Sequence, residues 1–503
     1  MLFRSIRDVV GSVTRPVREL KGFEKVFLKA GESITVSFLI TEDLLKFYNS
    51  DLEKVVEPGE FEVFIGRDSQ TENKAVFSFG SGRKLSFVSD DEFLDHIQFA
   101  HLNYMAEGAG PNSGLALERI HMDGIYPEND PDVITTGASG FGIAGLIAGI
   151  ERGFIPRVEG VRQLQKAVKF LENADRYHGA WPHWLYDGNG KTKPFGLKDN
   201  GGDLVETAFL VQGLLCARQY FKDGNDEEKQ LAADIDRLWR DVEWDWYMKD
   251  GQHVLYWHWS PEFGWEMDFP VEGYNEAFIM YILAASSPTH PIPAEAYHEG
   301  WARNGKIVSD REKYGLPLVL KHNGAEEYGG PLFWAQYSYI GLCPKGLRDR
   351  YADYWELNRN HSLIDYMYCV QNPEGYKGYG KDCWGLTASY SPDGYHAHMP
   401  GNDDLGVITP TAALSSYPYT PEESASALHH FYFDLGDRLW GKYGFYDAFC
   451  EGRDWFPQRY LGLDQLTIAP MIENYRSGLL WNLFMSCPEL QKGLGKLGFT
   501  VLQ

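Results

Sequence analysis

The chain predicts a mainly α fold, an (α/α)6 toroid or barrel, with a small N-terminal β-sandwich domain, and three observations carry that prediction. Over the first eighty or so residues apolar side chains alternate with period two between Gly and Pro turns. Beyond them the spacing becomes helical, with about a dozen segments bounded by capping residues. Long loops rich in Gly, Trp and Asp separate those segments, as expected where inner helices surround a pocket floor and loops at one end build a cleft. No fixed repeat period supports a helical solenoid instead. The expected division is residues 1–82 for the sandwich and 83–503 for the helical body.

In chain order, Phe23-Glu-Lys-Val-Phe-Leu-Lys-Ala-Gly31 reads as a strand leading through a turn into a second at 34–40, and Pro58-Gly-Glu-Phe-Glu-Val-Phe-Ile65 repeats the alternation. A turn-rich join follows at Phe79-Gly-Ser-Gly-Arg83. Helices are expected at 90–106, 136–152, 161–173, 203–220, 226–244, 274–285 and 293–301, then at 331–340, 349–370, 410–416, 420–435 and 464–484. Gly140-Phe-Gly142 falls in an Ala/Gly-rich helix, where it predicts close helix packing. His429-His430 lies within a helix and needs no ligand role.

Lys and Arg number 47 against 71 Asp and Glu, and the resulting net charge of −24 repels nucleic acid and anionic membrane, leaving a neutral or cationic partner. A neutral sugar fits. Aromatic residues reach 15%, with 15 Trp and 30 Tyr, which suits either sugar stacking or a large aromatic core. Cys216, Cys343, Cys369, Cys383, Cys450 and Cys487 show neither CxxC nor zinc spacing, so they read as buried thiols, with Cys369 and Cys383 the one tempting pair. No apolar run is long enough to span a bilayer, and Met1-Leu-Phe-Arg-Ser-Ile lacks the order of a signal peptide and reads as a processed start.

Acids gather where Gly-containing turns enter apolar helices. Asp199-Asn-Gly-Gly-Asp203-Leu-Val-Glu206 places three carboxylates at one such mouth; crowded acids repel, and one of them holds its proton near neutral pH. A protonated acid beside an ionised carboxylate is the equipment for acetal hydrolysis. The competing account is an Asp203 N-cap with ordinary first-turn acids. Glu276, after Tyr274 and Asn275, and Asp464, in Gly462-Leu-Asp464-Gln, repeat the pattern, each open to the same capping account. Around them lie Trp181-Pro-His183-Trp184, Trp257-His258-Trp259, Trp334-Ala-Gln336, Trp384 and Arg453-Asp-Trp455, a sugar platform with hydrogen-bonding rims or else packed core. His396, His398, Asn402, Asp403 and Asp404, like Asp187-Gly-Asn189, are explained by turn chemistry, and neither a metal nor a cofactor is expected. There is no P-loop, no G-x-S-x-G elbow and no Cys–His nucleophile.

Two resemblances sharpen this picture. "RDVVGSVTRPVRELKGFEKVFLKAGES" and "VVEPGEFEVFIG", over residues 5–66, resemble the fibronectin-III-like module at the C-terminus of family 3 β-glucosidases, whose catalytic domains are absent here. "TTGASGFGIAGLIAGIERGFI", "DNGGDLVETAFLVQGLL", "GYNEAFIMYILAASSPTHP", "YGGPLFWAQYSYIG" and "LDQLTIAPMIENYRSGLLW" are similar to the glycoamylase-like domain of glycoside hydrolase family 144, over about residues 90–500. That resemblance implies an (α/α)6 barrel hydrolysing β-1,2-glucan with inversion, internally or by releasing sophorose from an end. It places the important acids on Asp199, Asp203 and Glu206, on Glu276 and on Asp464. Glu276 then protonates the leaving oxygen, Asp464 activates water directly or through a substrate hydroxyl, and the trio holds the sugar, although Asp203 or Glu206 can also fill the acid or base role. The alternatives are an α-glucan hydrolase and a glucan-binding protein that has lost its chemistry. A monomer in the periplasm or outside the cell is expected.

Overall fold

The computed structural model describes residues 2–9, 13, 15–48, 52, 54–56, 59–79, 87, 89–127 and 130–501. The chain divides into two units, Met1–Phe93 and Leu94–Gln503. The turn-rich join predicted around residue 80, and with it the expected boundary at 82/83, falls at 80–86, outside the described residues.

In the first unit the strands Glu19–Glu24, Leu2–Asp8, Gly59–Gly66 and Lys74–Phe79 form, in that order, an antiparallel sheet. Alternation puts Ile6, Phe61 and Val63 on the buried face, where they meet Leu45 with Ile40, Leu44 and Phe77. The strand expected at 34–40 does not form a ladder: the guanidinium of Arg4 takes the Leu39 carbonyl and, at 2.7 Å, that of Lys21, so the segment is tied by a side chain instead.

The second unit is mainly α, and its helices are of two kinds. Thr136–Glu151, Leu204–Phe221, Phe278–Ser286 and Gly462–Arg476 are buried on nearly every face; the first and third are apolar almost all round, while the second and fourth also enclose polar side chains such as Glu206, Gln212, Asp464 and Glu473. Arg157–Asn173, Asp226–Arg240 and Pro488–Lys496 bury one stripe and expose the other. Thr136–Glu151 packs between Leu204–Phe221 and Gly462–Arg476. The predicted glycine contact is tight: a Cβ on Gly140 would lie 2.1 Å from the Phe209 carbonyl oxygen, and one on Gly213 1.9 Å from that of Gly140.

Several expected helices are interrupted. Gly478, at φ 69°, breaks the span 464–484 into Gly462–Arg476 and Leu479–Met485. The span 331–340 is two 3-10 turns, Leu332–Ala335 and Tyr337–Tyr339; 293–301 yields only a π-helical turn, Ala296–Trp301; and 420–435 passes at His429-His430 from Pro421–His429 into a π-helical turn. The helix expected to begin at 274 begins at Phe278, which leaves Glu276 in the loop ahead of it. All six cysteines are free, Cys369 and Cys383 included. Among the described residues no helix is long and apolar enough to cross a membrane.

Candidate active site

Asp203 caps the Leu204–Phe221 helix: its Oδ1 accepts the backbone N–H groups of Val205 at 3.0 Å and Glu206 at 2.9 Å. The cap and site accounts of this residue are thus both true, because Oδ2 is left to face His183 Nδ1 at 3.1 Å and His258 Nε2 at 3.6 Å. A two-residue ladder, Gly202↔Trp259 and Asp203↔His258, brings His258 there, and its Nε2 also reaches Asp199 Oδ2 at 3.3 Å. Glu206 Oε2 accepts the Gly137 N–H at 2.8 Å, and its Oε1 lies 4.0 Å from His183 Nε2. Burial alone would raise Asp203, but the His183 hydrogen bond and the two imidazoles hold it below the usual carboxylate range. Burial and the Asp203 charge push Glu206 up to about 8 against the pull of His183. Burial opposes a charged His183, yet Glu206, Asp203 and Asp199 outweigh it and raise it to about 10. The two shifts are linked, since His183 is raised chiefly by an ionised Glu206 and Glu206 is pulled down by a charged His183, so the cluster keeps Asp203 anionic and shares its protons between His183 and Glu206. His183, Asp199 and Asp203 present ligand-type atoms within 4.8 Å of one another, as do Cys383, His430 and Glu451.

Glu276 stands just before the cap of the Phe278–Ser286 helix, in a loop held by Asn275 Oδ1 on the Ala277 N–H at 3.0 Å and by Ser338 Oγ on the Glu276 carbonyl. Burial and the Asp203 charge push its carboxyl up to about 7, against its own backbone N–H and the Trp334 indole. Beneath it the Tyr274 hydroxyl bonds the Trp334 carbonyl at 3.2 Å and Asn358 at 3.0 Å. Asp464 lies in the first turn of Gly462–Arg476, where Leu461, not Asp464, holds the cap position. Its Oδ1 accepts the Tyr337 hydroxyl at 3.2 Å. Burial, Asp447 and Glu118 push it well above the carboxylate range. The acids share neighbours: the Tyr337 hydroxyl feels both Asp464 and Glu206, and the Tyr395 hydroxyl feels Asp464, Glu118, Asp447 and Glu276. Tyr395 is exposed as a residue, while burial and these carboxyls raise its hydroxyl.

With this geometry, comparison with known proteins becomes specific. A fibronectin type III-like profile matches residues 6–69, and a glycoamylase profile, described as glucoamylase, matches residues 268–488. An endo-β-1,2-glucanase from Chitinophaga pinensis, solved with sophorotriose and glucose, is 62% identical, with a TM-score of 0.81 over 82% of this chain and 99% of that one. The chain belongs to glycoside hydrolase family 144. A curated family 144 relative, an exo β-1,2-glucooligosaccharide sophorohydrolase (non-reducing end) from Parabacteroides distasonis, is 48% identical over 427 residues, which are 82% of this chain but 58% of that protein. The chain thus spans less than two thirds of that relative's length. The N-terminal segment is 50% identical over 72 residues to a periplasmic β-glucosidase of Salmonella typhimurium, 14% of this chain and 9% of that one.

In this family 144 chain the predicted sugar-facing residues divide. His183, Trp184, Trp257 and Trp334 are partly exposed; Phe195, half exposed, stacks on His183 with centroids 4.1 Å apart, and Trp257 stacks on His258 at 5.7 Å. Three are core instead. Trp181 is sealed, with its indole N–H on the Leu171 carbonyl at 3.2 Å; Trp384 is sealed, with its N–H on that of Glu423 at 3.1 Å; and Gln336 is sealed, with its amide on the Ala412 carbonyl at 3.0 Å. Each spends its N–H on a backbone carbonyl and none presents a surface to solvent in this structure, so all three are placed as core. Arg453 is exposed and committed to Asp393, while Trp455 packs on Val407, Ala448 and Cys450. Asp187 collects the N–H groups of Asn112 and Ser113 at 3.0 and 2.8 Å, the turn chemistry expected of it. Glu118, Asp447, Tyr337 and Tyr395 escape the sequence search. Tyr337 lies inside a motif block that resembles the family, but Glu118 and Asp447 flank short strands, where no helix-start pattern draws attention to them.

Proposed function

We propose that this chain hydrolyses β-1,2-linked glucan or its oligosaccharides with inversion, in a cleft built by the loops at one end of an (α/α)6 toroid, the N-terminal β-sandwich of residues 1–82 forming a separate module. The observation that carries this reading is that Glu276 and Asp464, from two different helix starts, both act on the Tyr395 hydroxyl, and that Glu276 ionises near 7. Such a carboxyl keeps its proton at working pH and still gives it up readily, as a general acid must. Glu276 donates that proton to the glycosidic oxygen as the bond to the anomeric carbon breaks. Asp464 accepts a proton from water, directly or through a substrate hydroxyl, as that water adds to the opposite face. Asp199, Asp203 and Glu206, set by His183 and His258, hold the sugar at the cleavage point, and the Trp184, Trp257 and Trp334 rings give it apolar faces to rest on. The names of the family 144 relatives support the linkage. A periplasmic or secreted monomer suits a polymeric glucan substrate.

Incubation with linear β-1,2-glucan, with soluble starch in parallel, tests the reading. Sophorose or short oligomers are expected from the first and no reducing ends from the second. Cleavage of starch alone would move the linkage to α, and silence on both at high enzyme loading would leave a binding protein.

A further inference from the structure

Asp464 has a partner that the scheme above does not use. Asp447 lies two residues beyond the short strand Gly444–Phe445, and its backbone N–H donates to the Arg459 carbonyl at 2.9 Å. Arg459–Leu461 in turn runs directly into the helix that bears Asp464. The chain thus sets the two acids side by side, and both are sealed, at 4% and 3% exposure. Each carboxyl has one oxygen supplied with a donor: Asp447 Oδ2 takes the Tyr390 N–H at 2.8 Å and Asp464 Oδ1 the Tyr337 hydroxyl at 3.2 Å. The other two oxygens, Asp447 Oδ1 and Asp464 Oδ2, are buried and receive no donor from the described protein, and the two carboxyls lie close enough that each acts on the other's proton. Ionised carboxylates only accept. Two of them in such contact, out of water, are compatible only if one proton lies between them.

We propose that Asp447 is a positioning residue for Asp464: the pair shares one proton across the working pH range, between Asp447 Oδ1 and Asp464 Oδ2, so that the Asp464 carboxyl stands in one orientation with Oδ1 beside Tyr337. This deepens the reading of Asp464 as the base and rests on it. The titratable and charged groups around the pair are Glu118 with its neighbour Arg119, the hydroxyls of Tyr337, Tyr395 and Tyr390, His121 on the Tyr390 hydroxyl at 2.9 Å, and Arg459. Glu118 makes a second negative charge at the pair harder to form, whereas the Tyr337 hydroxyl favours the first. Burial and Glu118 also push Asp447 up, against the Tyr390 N–H and the proton it shares with Asp464.

Three variants and two readouts test the pair. Infrared difference spectra of the ligand-free protein at neutral pH should show that D447N and D464N each lose the same carboxylic C=O component from the parent's absorption. Absorption undiminished in D447N overturns the shared proton, whatever the enzyme cleaves. In turnover, D447L removes the carboxyl whose charge and shared proton keep Asp464 up, so Asp464 ionises more easily and is a weaker base. The acid limb of kcat/KM should fall by about one pH unit and kcat by about 10- to 100-fold at similar KM. D447N, which still offers a hydrogen bond to Asp464 Oδ2, should recover most of kcat. An acid limb in D447L that superimposes on the parent's overturns the proposal, and so does a loss beyond about 1000-fold in well-folded D447N, which would make Asp447 the base itself. If D447L fails to fold, D447N and the infrared band decide alone. A band that behaves as stated in a protein that cleaves no β-1,2-glucan condemns the functional reading and leaves the proton-sharing pair standing.

Discussion

Glu276 draws its chemistry from being one residue short of a helix cap: there it gains enclosure and the nearby Asp203 charge without the first-turn N–H groups that would hold it ionised. Because a general acid works only while it carries its proton, kcat should fall as pH rises through about 7. E276Q and D464N should each lose about two or more decades of kcat with little change in KM or Tm, measured on one defined β-1,2-oligosaccharide; unchanged turnover in both would clear them of these roles. His183 makes a different prediction, about stability. Its folded value of about 10 lies above the ordinary 6.5, so protonation favours the fold. That contribution is complete below about 6.5 and fades as pH rises through about 10. H183Q should therefore be destabilised at pH 6, by up to about 3 kcal/mol, since it removes the cation facing Asp203 and Glu206 and leaves Asp203 to His258 and its two backbone N–H groups, and the Tm gap to the parent should narrow toward pH 10. A gap that does not depend on pH would mean His183 is neutral in the fold. At this scale the sequence exposes what sits at helix starts, namely Asp203, Glu206 and Asp464. It hides Glu118 and Asp447, whose short strands carry too few residues for a period to register.

Among the elements, the decisive contact is the crossing of Thr136–Glu151 with Leu204–Phe221, where Gly140 and Gly213 bring two backbones together. The same approach serves the site, for the Gly137 N–H can reach Glu206 only because no side chain intervenes: a Cβ there would lie 2.4 Å from Oε2. G140A pushes against backbone that cannot yield and should cost about 1 to 3 kcal/mol or more, read as a lower Tm. G137A pushes against a side chain that can move, so its main effect should fall on kcat, through a displaced Glu206, with a smaller loss of Tm. The reverse ordering would show that Glu206 is not held by Gly137 in the working enzyme. Capping residues make the starts of these helices legible, and glycine at close spacing makes their contact legible. Interruptions are not, because a positive φ at Gly478, or the exchange of α for π turns after His429, leaves no mark on apolar periodicity. The unpaired segment at 34–40 fails for the same kind of reason: its alternation is genuine, but a distant arginine takes the carbonyl a ladder would need.

For the whole molecule, the change from period two to helical spacing announces a sheet unit followed by a mainly α unit, since each period is imposed by the geometry of the element it builds. Which loops meet in space is the part no period encodes. The net charge of −24 is consistent with a site lined by acids and a substrate without charge, whose cleavage should depend only weakly on ionic strength. Stereochemistry is the property that tests all the acids at once. If Glu276 protonates the leaving oxygen while water, activated through Asp464, enters from the opposite face, each cut of a β-linkage creates an α-configured reducing end, which then mutarotates to the equilibrium mixture. Proton NMR over the first minutes of reaction, at an enzyme loading that outpaces mutarotation, should show the α signal first and the β signal growing from it. A β-configured first product would require a covalent sugar–carboxylate intermediate, and Asp464 would then have to be a nucleophile in direct reach of the anomeric carbon. That role is hard to reconcile with a carboxyl sealed from water, bonded to the Tyr337 hydroxyl on one oxygen and facing a second aspartate with the other. The same burial suits a base that takes its proton through an intervening hydroxyl, so under the proposed mechanism the α-anomer is the expected first product.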